Sequence, residues 1–248
     1  KIKKSGNVQI GTNQFVGCNR LQKICIEQDL EIESENGPIT QLDSNCFSGA
    51  VKLKEITFIG GNLRINDGIL KNCSSLEILS IEKAEKVSID KDQFLNFRSL
   101  KRVNIESNTS LVLKSRCFMN SSCLEVVNLS SKSIEINHRS FERCTSLVIF
   151  KVTKSGSVYF HGNQFGQCNN LYKISVESTI ESQPGVASKI TFGPNSFSGA
   201  TNLKKVIFLG GDVLVNKNCF QNCQSLLSVF FNSQSVTIEK GQLSNLSS

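Results

Sequence analysis

This 248-residue chain contains ten cysteines, whose thiols could pack in the core, bind a metal or form disulfides. Five of them recur at one position of a repeated pattern, where two other repeats have alanine. These five are Cys18, Cys73, Cys144, Cys168 and Cys223. A position that accepts either Cys or Ala is typical of a small buried side chain. We therefore predict packed thiols that do not react with maleimide until the chain unfolds.

The remaining cysteine spacings do not form a metal site. No Cys-x-x-Cys pair occurs, and Cys219-x-x-x-Cys223 lacks the second pair that a zinc site needs. Cys144 and Cys168 fall in neighbouring repeats, so a disulfide between them stays open as an alternative. The cysteines therefore leave the redox compartment unassigned.

The only two histidines, His138 and His161, flank predicted turns in adjacent repeats and are expected to approach one another. No carboxylate or cysteine pattern converges on them, which disfavours a nucleophilic or metal site. No glycine-rich loop follows a strand and opens a helix, and basic residues are not interleaved with aromatic ones. The sequence thus predicts no enzyme, no cofactor, no metal and no nucleic-acid partner.

A repeat of 23 or 24 residues positions all of these side chains. Its strongest marker is a leucine that opens an alternating run, and two of the eight intervals between these leucines lengthen to 32 residues. The leading leucines are Leu21, Leu53, Leu76, Leu100, Leu124, Leu147, Leu171, Leu203 and Leu226. Six residues before each of them stands a phenylalanine, or once Leu70, and we predict that these side chains form one buried stack.

Two strand-like pieces occur in each repeat. After the leucine, runs such as Leu100–Glu106 alternate, which predicts a half-buried strand with Val103 and Ile105 inward. A second short piece, such as Ile134–Ile136, precedes the next phenylalanine. The segment between this piece and the leucine is too short for a stable helix, so a single helical or 3₁₀ turn is predicted there.

These observations predict a mainly β leucine-rich-repeat solenoid, a curved stack of about nine repeats with two parallel β-ladders. It is expected to be one continuous domain over 1–248, with partial repeats at 1–10 and 238–248. A longer period lies above the short one, because residues 13–76 match 163–226 at an offset of 150, with 25 of 64 positions identical. We interpret this as duplication of a six-repeat block.

The unit Phe-x-x-Cys-x-x-Leu-x-x-Ile-x-Ile, seen in Phe141–Leu147 and Phe165–Leu171, resembles the BspA-like class of leucine-rich repeats. That class is found in surface proteins of mucosal bacteria and is expanded in some protozoan parasites. The resemblance covers essentially the whole chain. It implies a curved parallel solenoid with roles in adhesion to host matrix or cells.

Outward residues of the first strand would line one continuous surface, which is the predicted binding site for a protein or a glycan. The candidate residues are Arg102, Val126, Ile149, Lys151, Lys173, Lys205, Ile207, Leu209, Leu227 and Phe230. The last four are expected to form an exposed apolar cluster, which either contacts a partner or is covered by further chain. A secreted or cell-surface binding module is the leading hypothesis, and an intracellular scaffold or sensor is the alternative.

Four further expectations concern charge, membranes, the two long intervals and the ends. A net charge of +7 favours acidic partners weakly, and a solvated, lysine-rich surface is the leading interpretation. The sequence contains no run of 18 apolar residues, so no membrane span is predicted. The two long intervals, 28–41 and 178–191, are expected to project from one edge. Because the chain opens in a lone second-strand piece at Val8–Ile10 and stops within a tenth repeat, we expect a longer parent protein or end-to-end self-association through Leu227 and Phe230.

Overall fold

The computed structural model describes residues 1–28, 37–66, 68–70, 73–179 and 187–240. Within these ranges the chain forms 18 strands. They are β1 (Ile2–Lys4), β2 (Val8–Ile10), β3 (Lys23–Gln28), β4 (Ile39–Leu42), β5 (Glu55–Ile59), β6 (Asn62–Ile65), β7 (Ile78–Ile89), β8 (Arg102–Leu113), β9 (Val126–Ser130), β10 (Ser133–Ile136), β11 (Ile149–Ser155), β12 (Ser157–Phe160), β13 (Lys173–Ser178), β14 (Lys189–Phe192), β15 (Lys205–Leu209), β16 (Asp212–Val215), β17 (Ser228–Asn232) and β18 (Ser235–Ile238).

Each strand pairs in parallel with the equivalent strand one coil away, which confirms the two predicted ladders. We call the ladder that follows the leading leucines the front sheet, and the ladder that precedes the phenylalanines the back sheet. Strands β7 and β8 are 12 residues long and run through both sheets, with register shifts at the corner between them. A coil is one repeat, numbered one to nine by its leading leucine.

Alternation in the sequence decides which side chains enter the core. In β8, Val103 and Ile105 are buried while Arg102 and Glu106 are exposed, as predicted. The buried members are mostly β-branched, and such side chains pack well on a pleated surface. Because the period is two, every outward residue of the front sheet is fixed once its inward neighbours are placed.

The predicted phenylalanine stack is confirmed. Ring centroids lie 4.9 Å apart for Phe94 and Phe118, 5.3 Å for Phe118 and Phe141, and 5.8 Å for Phe141 and Phe165. Their ring planes differ by 11° or less, and all four side chains are fully buried. The stack continues from Phe165 to Phe197 at 5.5 Å. Offset stacking of this kind adds to the free energy gained by burial.

The predicted helical or 3₁₀ turn is wrong in detail, because in eight of the nine turn segments the described residues include two with left-handed backbone. Around Phe118 these are Arg116 and Asn120, both with φ of 58°. A left-handed residue ends a helical turn and points its N–H elsewhere. Here the N–H groups of Phe118 and Asn120 donate to carbonyls of the next coil, at 2.9 and 3.0 Å. The turn edge therefore carries a third set of coil-to-coil backbone hydrogen bonds, beside those of the front and back sheets.

The repeat thiols are more than packing atoms. Cys144 donates its S–H to the carbonyl of Phe118, one coil back, at 3.2 Å, and Cys168 does the same to Phe141 at 3.0 Å. Ser121 makes the equivalent bond to Phe94 at 2.8 Å. The position therefore favours a small buried donor, which explains why serine substitutes for cysteine there.

All ten cysteines are free thiols, so the alternative of a Cys144–Cys168 disulfide is not realised in this structure. Burial raises the pKa of Cys168 and Cys223 to about 12, and that of Cys73 to about 11. Cys18 is only half-buried, because it lies in coil one, at the end of the stack. The prediction of a packed thiol is therefore wrong for Cys18 and confirmed for the other four.

The N-terminal residues form two strands, so the prediction of a lone second-strand piece there is wrong. Strand β1 pairs with β3, with Ile2 opposite Ile26, and Ile2 packs against the core. At the other end, the inward residues Val229 and Phe231 are only partly buried. The predicted partial repeat at 238–248 lies outside the described residues from position 241 onward. So do residues 29–36 and 180–186 of the two long intervals.

Candidate binding surface on the front sheet

Three columns of outward side chains run along the front sheet. The first column is the position directly after each leading leucine, as in Glu125, Val148 and Tyr172. The second column is the next position, and the third lies two residues further along the strand. Cross-strand register places members of the second and third columns directly opposite one another from coil to coil. The columns thus form one continuous surface of neighbouring side chains.

The structure places the predicted second-column residues together. Arg102, Val126, Ile149, Lys173 and Lys205 are consecutive cross-strand neighbours in β8, β9, β11, β13 and β15. Arg102, Ile149 and Lys205 are exposed, and Val126 and Lys173 are partly so. The alternation of the sequence was sufficient to predict this row.

The predicted apolar cluster is less compact than expected. In the third column Ile207 lies directly opposite Phe230, whose side chain is 52% exposed. Leu209 instead pairs with Asn232, and Leu227, 79% exposed, lies in the first column, where its N–H donates to the carbonyl of Lys204. Only Ile207 and Phe230 are therefore cross-strand neighbours. Lys151, also in the third column, lies opposite Ser175.

Two apolar residues of the first column were missed. Tyr172 is 48% exposed and Val148 is 39% exposed, beside Ile149 at 38%. The N–H of Tyr172 donates to the carbonyl of Val148, so the two lie in successive coils, and the ammonium of Lys204 lies 5.6 Å from the tyrosine ring centroid. The available signal was an apolar residue in a column that is otherwise mostly Lys or Glu.

In coils one to four, ion pairs join residues of the same column in adjacent coils. Lys23 contacts Glu55 at 2.7 Å, and Lys101 contacts Glu77 at 2.9 Å. Lys54 lies 3.9 Å from the same Glu77. The hydrogen bond from Lys101 lowers the pKa of Glu77, and the bond to Glu55 raises the pKa of Lys23. Such exposed pairs add little stability, but they neutralise this part of the surface.

A shallow groove of about 380 Å³ crosses the front sheet in coils three to six. Its floor includes an amide ladder in which Asn128 donates to Asn104 at 2.8 Å, flanked by Glu82, Glu106 and Lys154. A larger cleft, about 720 Å³, opens on the turn edge between coils two and four and includes Asn45, Asp92 and Arg98 among its lining residues. Neither lining pairs a nucleophile with a base.

The two histidines meet on the back sheet side, as predicted, with ring centroids 5.3 Å apart. A carboxylate does reach one of them, contrary to expectation, because Nε2 of His161 lies 3.1 Å from Oε1 of Glu135. Sequence spacing hid this contact, since it joins residues 26 positions apart. Across the described part of the chain, no three His, Cys, Asp or Glu side chains are grouped to hold a metal ion.

Within the described ranges, no helix is long and apolar enough to cross a membrane.

A family profile described as BspA type leucine-rich repeat region matches the chain in 6 copies, over residues 8–148, 87–187 and 186–248. A search of curated proteins finds no match.

Three solved structures are similar to this chain. They are a leucine-rich cell surface protein from Faecalibacterium prausnitzii (14% identity, TM-score 0.36, 99% of this chain and 82% of that one) and two leucine-rich-repeat proteins. One of these is from Bacteroides ovatus (17%, 0.35, 93% and 78%), and the other is from Eubacterium ventriosum (11%, 0.33, 96% and 80%).

Proposed function

Because this chain belongs to the BspA-type leucine-rich repeat family, we propose that it is a non-enzymatic binding module that recognises a protein or a glycan through its front sheet. The observation that carries the proposal is the uninterrupted set of outward columns, each residue opposite its equivalent in the next coil. A surface of this kind presents side chains over many coils at fixed spacing, and solenoids use such surfaces for extended partners.

Exposed aromatic and aliphatic side chains on the front sheet support a binding role. Tyr172, Ile149 and Phe230 are each more than a third exposed. Tyrosine and phenylalanine are enriched where protein surfaces make contact, because they bury a large area and lose few rotamers. The groove across coils three to six offers amide and carboxylate groups that suit hydroxyl-rich ligands.

For the compartment, we propose the cell surface or secretion. The support is the resemblance to a repeat class found in surface proteins of mucosal bacteria and protozoan parasites. An intracellular scaffold or sensor is the second candidate, and the presence of ten free thiols favours it specifically. Surface labelling of intact cells that express the full-length protein separates the two.

The experiment uses the fact that the chain has two tyrosines, one on each sheet. Tyr172 lies on the front sheet and Tyr159, 40% exposed, lies in β12 of the back sheet. The folded chain is screened against arrayed extracellular matrix proteins and glycans. We expect at least one ligand whose binding falls in Tyr172→Ser and persists in Tyr159→Ser. Ligands that respond equally to both variants, or no ligand at all, would contradict the proposal.

A further inference from the structure

The duplicated blocks differ in one charge relationship on the second column. Lys23 and Glu55, which form an ion pair at 2.7 Å, correspond at the offset of 150 to Lys173 and Lys205. Strand register is the same in both blocks, with Lys23 opposite Glu55 and Lys173 opposite Lys205. The second block therefore keeps the lysine and replaces its carboxylate partner with another lysine.

The first column shows the same loss. Lys54 lies 3.9 Å from Glu77, and these two residues correspond to Lys204 and Leu227. Backbone geometry is again shared, because the N–H of residue 77 donates to the carbonyl of Lys54 and that of Leu227 donates to Lys204, at 2.8 and 3.0 Å. Of the two carboxylates that neutralise these lysines, Glu55 lies within the first block and Glu77 directly follows it, and neither has a counterpart at the offset of 150.

The result is an unbalanced positive surface. Like charges directly opposite one another in a sheet are unfavourable, so the pair Lys173 and Lys205 costs stability that Lys23 and Glu55 do not. In the part of the chain that the structure describes, no carboxylate lies within 4.0 Å of Lys151, Lys173, Lys204 or Lys205. An acidic partner would relieve this repulsion.

Apolar side chains lie within the same surface. Tyr172 and Ile149 are 48% and 38% exposed, and Lys204 lies over the tyrosine ring at 5.6 Å. We call the set of Ile149, Lys151, Tyr172, Lys173, Lys204 and Lys205 the basic–apolar patch. It combines apolar anchors with flanking ammonium groups, which is the composition of a protein interface core and its rim.

We propose that the basic–apolar patch binds an acidic segment of a protein partner, in which apolar side chains alternate with carboxylates. The proposal deepens the binding function proposed above and rests on it. Carboxylates would supply the charges that Glu55 and Glu77 supply in coils two and three, while an apolar side chain would cover Tyr172 and Ile149. A sulfated glycan would satisfy the lysines but would leave these apolar side chains exposed to water.

Lys205→Glu is the central variant of the test, because it recreates the pairing of Lys23 with Glu55. It is expected to keep or raise the urea midpoint of unfolding, so lost binding would not reflect lost folding. Lys189→Glu, an exposed back-sheet lysine in β14, is the matched control for charge. Glu-rich synthetic peptides containing one Leu or Phe are the probes, with Gln-substituted versions, heparin and anionic phospholipid vesicles as comparisons.

The expected result is that the Glu-rich peptides bind the 248-residue chain and lose affinity as salt rises. Lys205→Glu and Lys173→Glu should each weaken binding by about tenfold or more, and Lys189→Glu by less than about twofold. Tyr172→Ser should weaken the same peptides. Equal binding of Gln-substituted peptides, or binding of heparin or vesicles alone, would overturn the proposal.

The ligand array keeps the two proposals separable. A matrix ligand that requires Tyr172 but tolerates Lys173→Glu and Lys205→Glu would leave the front sheet as the binding surface and reject an acidic partner. Loss of front-sheet dependence for every ligand would reject both. Retention of peptide binding by Lys205→Glu in a stably folded chain would reject the acidic partner by itself.

Discussion

Where the structure describes them, residues 13–76 and 163–226 share strand register and backbone hydrogen bonds but present two different surfaces. In the first block the carbonyl of Gln22 accepts the N–H of Lys54 at 2.8 Å, and in the second the carbonyl of Tyr172 accepts that of Lys204 at 3.0 Å. Phe47 and Phe197 are both fully buried at equivalent places. Stacking requires matching inward residues from coil to coil, whereas outward residues are free to change. The blocks therefore share a fold and need not share a ligand.

The two blocks also differ in their position along the stack of coils. The identical segments Asn13-Gln14-Phe15 and Asn163-Gln164-Phe165 place one phenylalanine near the end of the stack and the other in its middle. Phe15 is half-buried and Phe165 is fully buried. Identical local sequence thus has different energetic weight, because burial depends on the neighbouring coils.

The strongest test of this comparison is to truncate both phenylalanines. Phe165→Ala should reduce the free energy of unfolding by about 3–5 kcal/mol, because it empties a fully enclosed site between Phe141 and Phe197. Phe15→Ala should cost clearly less, since its ring contacts only Phe47 in the stack and is partly open to water. Urea unfolding monitored by circular dichroism measures both. Equal losses would show that stack position does not matter.

A smaller effect is expected from the thiols at alkaline pH. Burial raises the pKa of Cys168 to about 12, from 9.0 in the unfolded chain. Above pH 9 this thiol ionises only after unfolding, so its contribution to stability is full below pH 9 and is lost as pH rises towards 12. The unfolding free energy of the unsubstituted chain should therefore fall as pH rises from 9 to 12. In Cys168→Ala the fall should be shallower by about 1.4 kcal/mol per pH unit. Urea titrations of both proteins at pH 8.5 and 10.5 measure it.

Maleimide labelling compares the two blocks at the same repeat position. Cys18 corresponds to Cys168 at the offset of 150, but it is half-buried where Cys168 is fully buried. Maleimide should label Cys18 in the native protein and reach Cys168 only after unfolding, as mass spectrometry of peptide fragments can determine. Rapid native labelling of Cys168 would contradict its assigned burial.

The smallest expected effect concerns the exposed charges. Lys205→Glu should raise the thermal midpoint by about one or two degrees, because Lys173 gains the partner that Lys23 already has. The mirror change Glu55→Lys should lower it by a similar amount. Both shifts should shrink at high salt. Shifts of the same sign in the two variants would show that the blocks do not differ through this charge pair.

Particular residues show how far sequence was sufficient. The nine leading leucines and the Phe-x-x-Cys segments determined the register, so Arg102, Val126, Ile149, Lys173 and Lys205 were placed in one row correctly. The row was predictable because strand alternation has a fixed period of two. Tyr172 was overlooked because it lies just before the strand begins, where alternation does not yet apply.

The turn edge was predictable in principle. Asn or Gly recurs two residues before and two residues after the stacked phenylalanine, as in Asn13 with Gly17, Asn195 with Gly199, and Asn218 with Asn222. All of these have positive φ. Asparagine and glycine adopt left-handed backbone more readily than other residues, so their recurrence indicates turns instead of a helix. Arg116 and Arg139 obscured the pattern, since arginine has no such preference.

The sequence by itself determined the coil period, the buried faces, the parallel stacking and the duplication, because each depends on a regular spacing along the chain. Tertiary structure alone decided which outward side chains meet. The contacts of Lys23 with Glu55, of His161 with Glu135 and of Lys204 with Tyr172 join residues of different coils, 26 to 32 positions apart. Their distances depend on coil length and stacking register. Those same quantities decide where the front sheet is neutral and where its charge is left for a partner.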